Sequence, residues 1–87
     1  MPRISAFYGV VIYMYWNERD HPVAHFHAYH AGHRASVSAD GSVLAGSLEP
    51  RALHFVQEWA KLRNEEILAN WDRARKNQPL LTINPLP

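Results

Sequence analysis

The step Asp40-Gly41 constrains this chain more than any other feature. An Asp-Gly pair between two alternating segments signals a two-residue hairpin loop, whose positions need a left-handed backbone that both residues tolerate. Residues 34–39 (RASVSA) precede it and residues 42–48 (SVLAGSL) follow. A two-residue loop sets Val37 opposite Leu44 and Ala35 opposite Gly46. Ala31-Gly32 is a second turn candidate, although alanine suits its first position less well. It joins 25–30 (HFHAYH) to the same strand and sets Phe26 opposite Val37 and Ala28 opposite Ala35. Directly opposed residues share a face of a sheet. Phe26, Ala28, Ala35, Val37, Leu44, Gly46 and Leu48 therefore fall together. Two turns placed independently agree on one core face, which supports the register.

Residues 8–16 (YGVVIYMYW) are dense in β-branched and aromatic side chains and read as the first of four strands. Residues 17–24, polar and containing Pro22, read as the loop that follows. Val10, Ile12 and Met14 are the natural core set of the first strand. Its other side, with Tyr13 and Tyr15, joins His25, His27, Tyr29, Arg34, Ser36, Ser38, Val43 and Ala45. This second face is polar, aromatic and unusually rich in His and Tyr.

The second half has helical spacing. Glu49-Pro50-Arg51 suits a helix start, since proline is tolerated in a first turn. Leu53, Val56, Trp59 and Ala60 form one apolar stripe, and Ile67, Leu68, Trp71 and Ala74 form another. Asn64-Glu65-Glu66 looks like a cap with acids in a first turn, and Arg73, Arg75 and Lys76 suit a last turn. Two helices with a break near Arg63-Asn64 follow from this. One continuous helix is the alternative, because Val56, Ala60, Ile67, Trp71 and Ala74 also fit a single stripe. Residues 78–87 carry three prolines and should run extended over the surface. The expected fold is α+β in a single domain, 1–87. A four-stranded antiparallel meander occupies 1–48, two helices packed on one face lie within 49–77, and a proline-rich tail closes the chain.

Composition narrows the function classes. With 87 residues and no cysteine, the chain has neither disulfides nor thiolate metal sites and must hold together by packing. Net charge is +1, too balanced to imply a nucleic-acid or membrane partner by itself. No apolar run reaches the length of a membrane span, and the start lacks a signal-peptide pattern, so the cytoplasm is the expected location.

Five of the six histidines lie between His21 and His33. His-x-His on a strand places both rings on one face, so His21, His25 and His27 offer three imidazoles to a divalent metal such as zinc, nickel or copper. Asp20 or Glu18 would supply the fourth ligand of a closed site. The alternative is that these rings hydrogen-bond, stack on Tyr13 and Tyr15, and fix the preceding loop. Histidine is also the natural acid–base group near neutral pH, and Ser36, Ser38 and Arg34 lie beside His27 and His25 in the derived register. Neither a nucleophile elbow nor a phosphate-binding glycine loop is present, which argues against an enzyme. The aromatic face could stack bases, with Arg34 on phosphate, but no RNA-binding signature accompanies it. A protein partner or a homodimer seam suits a Tyr-rich, Lys-poor face best. Its binding residues would be Tyr13, Tyr15, His25, His27, Tyr29 and Arg34. Trp59 and Trp71, on apolar stripes, read as core anchors.

The chain resembles a family of small bacterial proteins known as domain of unknown function 4160. The resemblance is carried by Pro2-Arg3-Ile4-Ser5, Phe7-Tyr8-Gly9, Met14-Tyr15, Asp20-His21, His25-Phe26-His27-Ala28, Arg51-Ala52-Leu53 and Trp59. Glu66-x-Leu68-x-Asn70-Trp71 and the tail near Asn84-Pro85-Leu86 complete it. Family members often carry two prolines before His-Phe-His, where this chain has Val23-Ala24. The resemblance implies a small cytoplasmic protein with no established activity. Such proteins are often encoded beside another short uncharacterised protein, in pairs suspected of being toxin–antitoxin or regulatory modules. It favours a protein partner, keeps RNA cleavage as a minority reading, and points to the strand carrying His25 and His27.

Overall fold

The computed structural model describes residues 2–16 and 22–87. Five strands come first: β1 (Arg3–Phe7), β2 (Val10–Tyr13), β3 (His25–His30), β4 (His33–Ser38) and β5 (Val43–Gly46). Two helices follow, α1 (Pro50–Leu62) and α2 (Asn64–Arg75). The strands form one antiparallel meander in the order β1-β2-β3-β4-β5. The α+β expectation holds, with one strand more than the sequence pattern shows.

The extra strand is β1. The segment read as a single strand from Tyr8 begins with a turn: Tyr8 and Gly9 both have positive φ, 48° and 79°. That is the backbone of the primed two-residue hairpin turns. Ala31 and Gly32 repeat it with φ of 48° and 81°. The register shifts between Arg3 and Ser5, so Ile4, Ser5 and Phe7 are all buried. Burial of adjacent residues erases the period-two signal, which is why β1 is not legible as a strand.

The pairing of β3 with β4 follows the derived register: Phe26 faces Val37, Ala28 faces Ala35, His27 faces Ser36 and His25 faces Ser38. Across β4 and β5, Ala35 faces Gly46 as expected, but Val37 faces Val43. The loop is longer than two residues. The Gly41 amide donates to the Ser38 carbonyl at 2.9 Å, the Ser38 amide to the Ser42 carbonyl at 2.8 Å, and Gly41 has φ of 99°. This is a three-residue loop with glycine in the bulge position. A second irregularity, at Leu44, restores the register for Ala45 and Gly46. Leu44 is therefore 41% exposed, outside the core to which alternation assigned it. Gly46, at φ of 76°, could not carry a Cβ without running into the Arg34 carbonyl.

The Asp40 carboxylate organises this loop by accepting from the Ser38 hydroxyl and from the Ser42 amide at 3.0 Å. Those hydrogen bonds, Ser38 first, hold its pKa below the ordinary value. A depressed folded-state pKa contributes stability above the unfolded pKa, and this is lost as pH falls through the folded value. The stability gap between the wild type and Asp40→Asn should therefore be open at pH 7 and close on acidification below about pH 4. Denaturant unfolding at stepped pH measures it.

The core lies between the sheet and the helices. Val10, Ile12, Met14, Phe26, Ala28, Ala35 and Val37 meet Ala52, Val56, Trp59, Ala60, Ile67, Trp71 and Ala74. Pro50 occupies the first turn of α1. The two helices are separate as expected, and the break is one residue, Arg63, at φ −109° and ψ 22°. Asn64 begins α2, but no side-chain cap bond forms. Its amide instead donates to the Ala39 carbonyl at 2.8 Å, tying the helix junction to the hairpin. Leu68 is exposed, so the stripe of α2 is Ile67, Asn70, Trp71 and Ala74.

The tail runs without regular structure, but it is a strap. Ile83 is buried in the core, and its amide donates to the Ile4 carbonyl on β1 at 2.7 Å. Trp16 Nε1 donates to the Gln78 carbonyl and Trp59 Nε1 to the Asn84 carbonyl, at 2.8 and 2.9 Å. Asn70, wholly buried, gives its amide to the Leu81 carbonyl (2.7 Å) and takes the Leu81 N–H (3.0 Å).

Candidate functional site on the open sheet face

Alternation along β2, β3 and β4 carries one set of side chains away from the helices. Tyr13 pairs with His27, Val11 with Tyr29, His27 with Ser36, and Tyr29 with Arg34. Tyr13 packs edge-on against Tyr29 with ring centroids 5.2 Å apart and lies parallel to Tyr15 at 6.4 Å. The Tyr15 ring sits 4.7 Å from His27, and its hydroxyl is 3.2 Å from that of Tyr29. Ser36 Oγ hydrogen-bonds His27 Nδ1 at 3.3 Å. These rings fix one another, so the face presents a preformed, half-buried aromatic surface.

A shallow open groove crosses this surface. Tyr15, His27 and Tyr29 form one wall, Arg34 and Ser36 stand beside it, and Ala45 and Gly46 of β5 leave the far side low. Tyr13, Tyr15, His27, Tyr29 and Arg34 are thus brought together as the sequence pattern implied. His25 is placed differently. It is 2% exposed, with Nδ1 donating to the Val23 carbonyl at 2.9 Å. Its ring lies between His27 at 5.3 Å and Trp71 of α2 at 4.9 Å. Its role here is to join the aromatic face to the helical layer.

The candidate metal set lies only partly among the described residues. His21, Asp20 and Glu18 lie outside the described residues, and His25 and His27 are adjacent. Among the described residues, no group of three His, Asp or Glu side chains is arranged to hold a metal ion. Ala35, Ser36, Ala45 and Gly46 complete the groove and are not among the expected binding residues. The derived register already set Ser36 opposite His27, and that signal was sufficient to find it. Among the described residues, no helix is long and apolar enough to cross a membrane.

Fold and face together define a small α+β domain, a meander covered by helices on one side and bearing a histidine–tyrosine surface on the other. The chain belongs to the family described as domain of unknown function DUF4160, whose model matches residues 9–72. The match contains the groove residues and both helix stripes up to Trp71, while β1 and the strap lie outside it. No curated protein and no solved structure matches the chain.

Proposed function

We propose that this protein is a non-enzymatic interaction module that binds a protein partner through the open sheet face. It would act in the bacterial cytoplasm as one half of a two-protein regulatory pair of the toxin–antitoxin kind. The observation that carries this reading is the mutually packed set Tyr13, Tyr15, His27 and Tyr29. Rigid aromatic side chains lose little entropy on binding and dominate interface energetics. The natural first partner to test is the small protein that members of this family are often encoded beside.

The double substitution Tyr13→Ala with His27→Ala should weaken association with that partner, or self-association, roughly thirtyfold, the equivalent of about 2 kcal/mol at an interface hot spot. Co-purification and analytical sizing read the association, and circular dichroism confirms that the domain stays folded. Unchanged association by a folded variant would remove the proposal.

The His27–Ser36 hydrogen bond supports a second reading, an RNA-directed site with His27 as its acid–base group. Incubation with mixed RNA should then show cleavage that His27→Ala abolishes. Its metal form uses His21, His25 and His27 with zinc or nickel. Calorimetric titration without heat at micromolar protein would exclude that form.

A further inference from the structure

The two edges of the sheet are treated differently. At β1 the strap bonds to the edge strand at one point, with Ile83 donating to the Ile4 carbonyl. At β5 no described residue pairs with the outer side. Exposed edge strands ordinarily carry charge or proline that discourages pairing with other chains. β5 reads Val-Leu-Ala-Gly, flanked by Ser42 and Ser47, and has neither; its one edge-disrupting feature is the bulge at Leu44, while Val43, Ala45 and Gly46 keep their pairing with β4. All four of its residues are exposed. The same strand forms the low side of the groove, where Ala45 and Gly46 leave open passage from the edge to Arg34. The groove offers a guanidinium, an imidazole and hydroxyls, and no carboxylate is among its described lining residues. Arg34 makes no ion pair among the described residues, where the pairs are Arg63 with Glu66 and Lys76 with Asp72.

We infer that an extended segment of the partner adds to β5 as a sixth antiparallel strand and lays an acidic side chain across Ala45 and Gly46 onto Arg34. This rests on the protein-partner reading above and names the chemistry of the partner: a short, acidic, strand-forming peptide. Backbone hydrogen bonds along β5 would give affinity, and the carboxylate–guanidinium contact would give selectivity. A second copy of this chain fits less well, because β5 itself has no carboxylate to set against Arg34.

The test uses the full-length, isotope-labelled chain and synthetic hexapeptides of alternating valine and glutamate. Nuclear magnetic resonance titration should shift the amides of residues 43–46 together with the Arg34 side chain. Binding should weaken at least tenfold for the valine–lysine peptide, for a glutamate peptide N-methylated at alternate amides, and for Arg34→Gln with the original peptide. Four results would overturn the inference. These are no shift at β5 up to millimolar peptide, equal binding of the glutamate and lysine peptides, full reproduction of the shifts by inorganic phosphate, or peptide-free dimerisation through β5. Failure here leaves the open-face reading distinguishable. In that case Arg34→Gln keeps the natural partner while the Tyr13 and His27 double variant still loses it.

Discussion

Trp59→Ala is expected to destabilise the domain by about 3–5 kcal/mol, the range for removing a buried aromatic side chain. Trp59 is wholly inaccessible. Its ring lies 5.5 Å from Phe7 and 5.3 Å from Phe26, so it joins β1 and β3 to α1. Its indole N–H also holds the Asn84 carbonyl of the strap. A domain of this size has a total stability of order 5–15 kcal/mol, so the loss is a large fraction. At about 4–8 °C per kcal/mol the thermal midpoint should fall by at least about 12 °C. Trp59→Phe separates the two contributions. It keeps a ring against Phe7 and Phe26 and loses the hydrogen bond, at a cost of about 1–2 kcal/mol. Thermal and urea unfolding followed by circular dichroism check both. An alanine variant as stable as the wild type would contradict the placement of this residue.

Asn70→Ala should have the next largest effect, about 2–3 kcal/mol, because it strands polar groups as well as removing contacts. Asn70 mimics a backbone pair for Leu81, donating to its carbonyl and accepting its N–H, while Arg73 Nη1 donates to the same side-chain oxygen at 2.9 Å. The variant should also expose residues 78–87 to proteolytic nicking at native temperature, since the strap loses its central anchor. Ile83→Ala tests whether the strap acts as a unit. If it does, the double variant with Asn70→Ala should cost less than the sum of the single changes by about 1 kcal/mol or more. Simple additivity would mean that Asn70 and Ile83 hold separate pieces of chain. The pairing explains on physical grounds why an asparagine interrupts the apolar stripe of α2: the position faces a backbone, and an amide side chain carries a donor and an acceptor side by side to match the Leu81 carbonyl and N–H.

The central hairpin was readable because two turn signals and strict alternation constrain each other. Phe26, Ala28, Ala35 and Val37 on one side, and His27, Ser36 and Arg34 on the other, fell where the register put them. That Tyr13 shares a face with His27 was readable too, because Val10, Ile12 and Met14 orient β2, but their direct pairing was not. Deviations occurred wherever the backbone departs from regular pleating. The bulge at Leu44 moved one leucine out of the core, and the irregularity between Arg3 and Ser5 concealed a whole strand. A one-residue insertion reverses the facing of everything beyond it, and side-chain pattern alone does not locate it.

The histidine–tyrosine face is determined by the sequence itself. Side chains two apart on paired strands must gather on one surface, whatever else the chain does. The amphipathic stripes likewise required helices on the other side. The tertiary structure alone decided which of those residues face outward and which hold the layers together. His25 belongs to the His-x-His pattern, but Trp71 of a distant helix packs on its ring and buries it. Residues 78–87 look like a loose extended tail, but Asn70 and Trp59 bind their backbone and draw Ile83 into the core. Both outcomes depend on contacts between segments far apart in the chain, which local periodicity does not encode. The same strap bonds to the β1 edge through Ile83, whereas no described residue pairs with the outer side of β5.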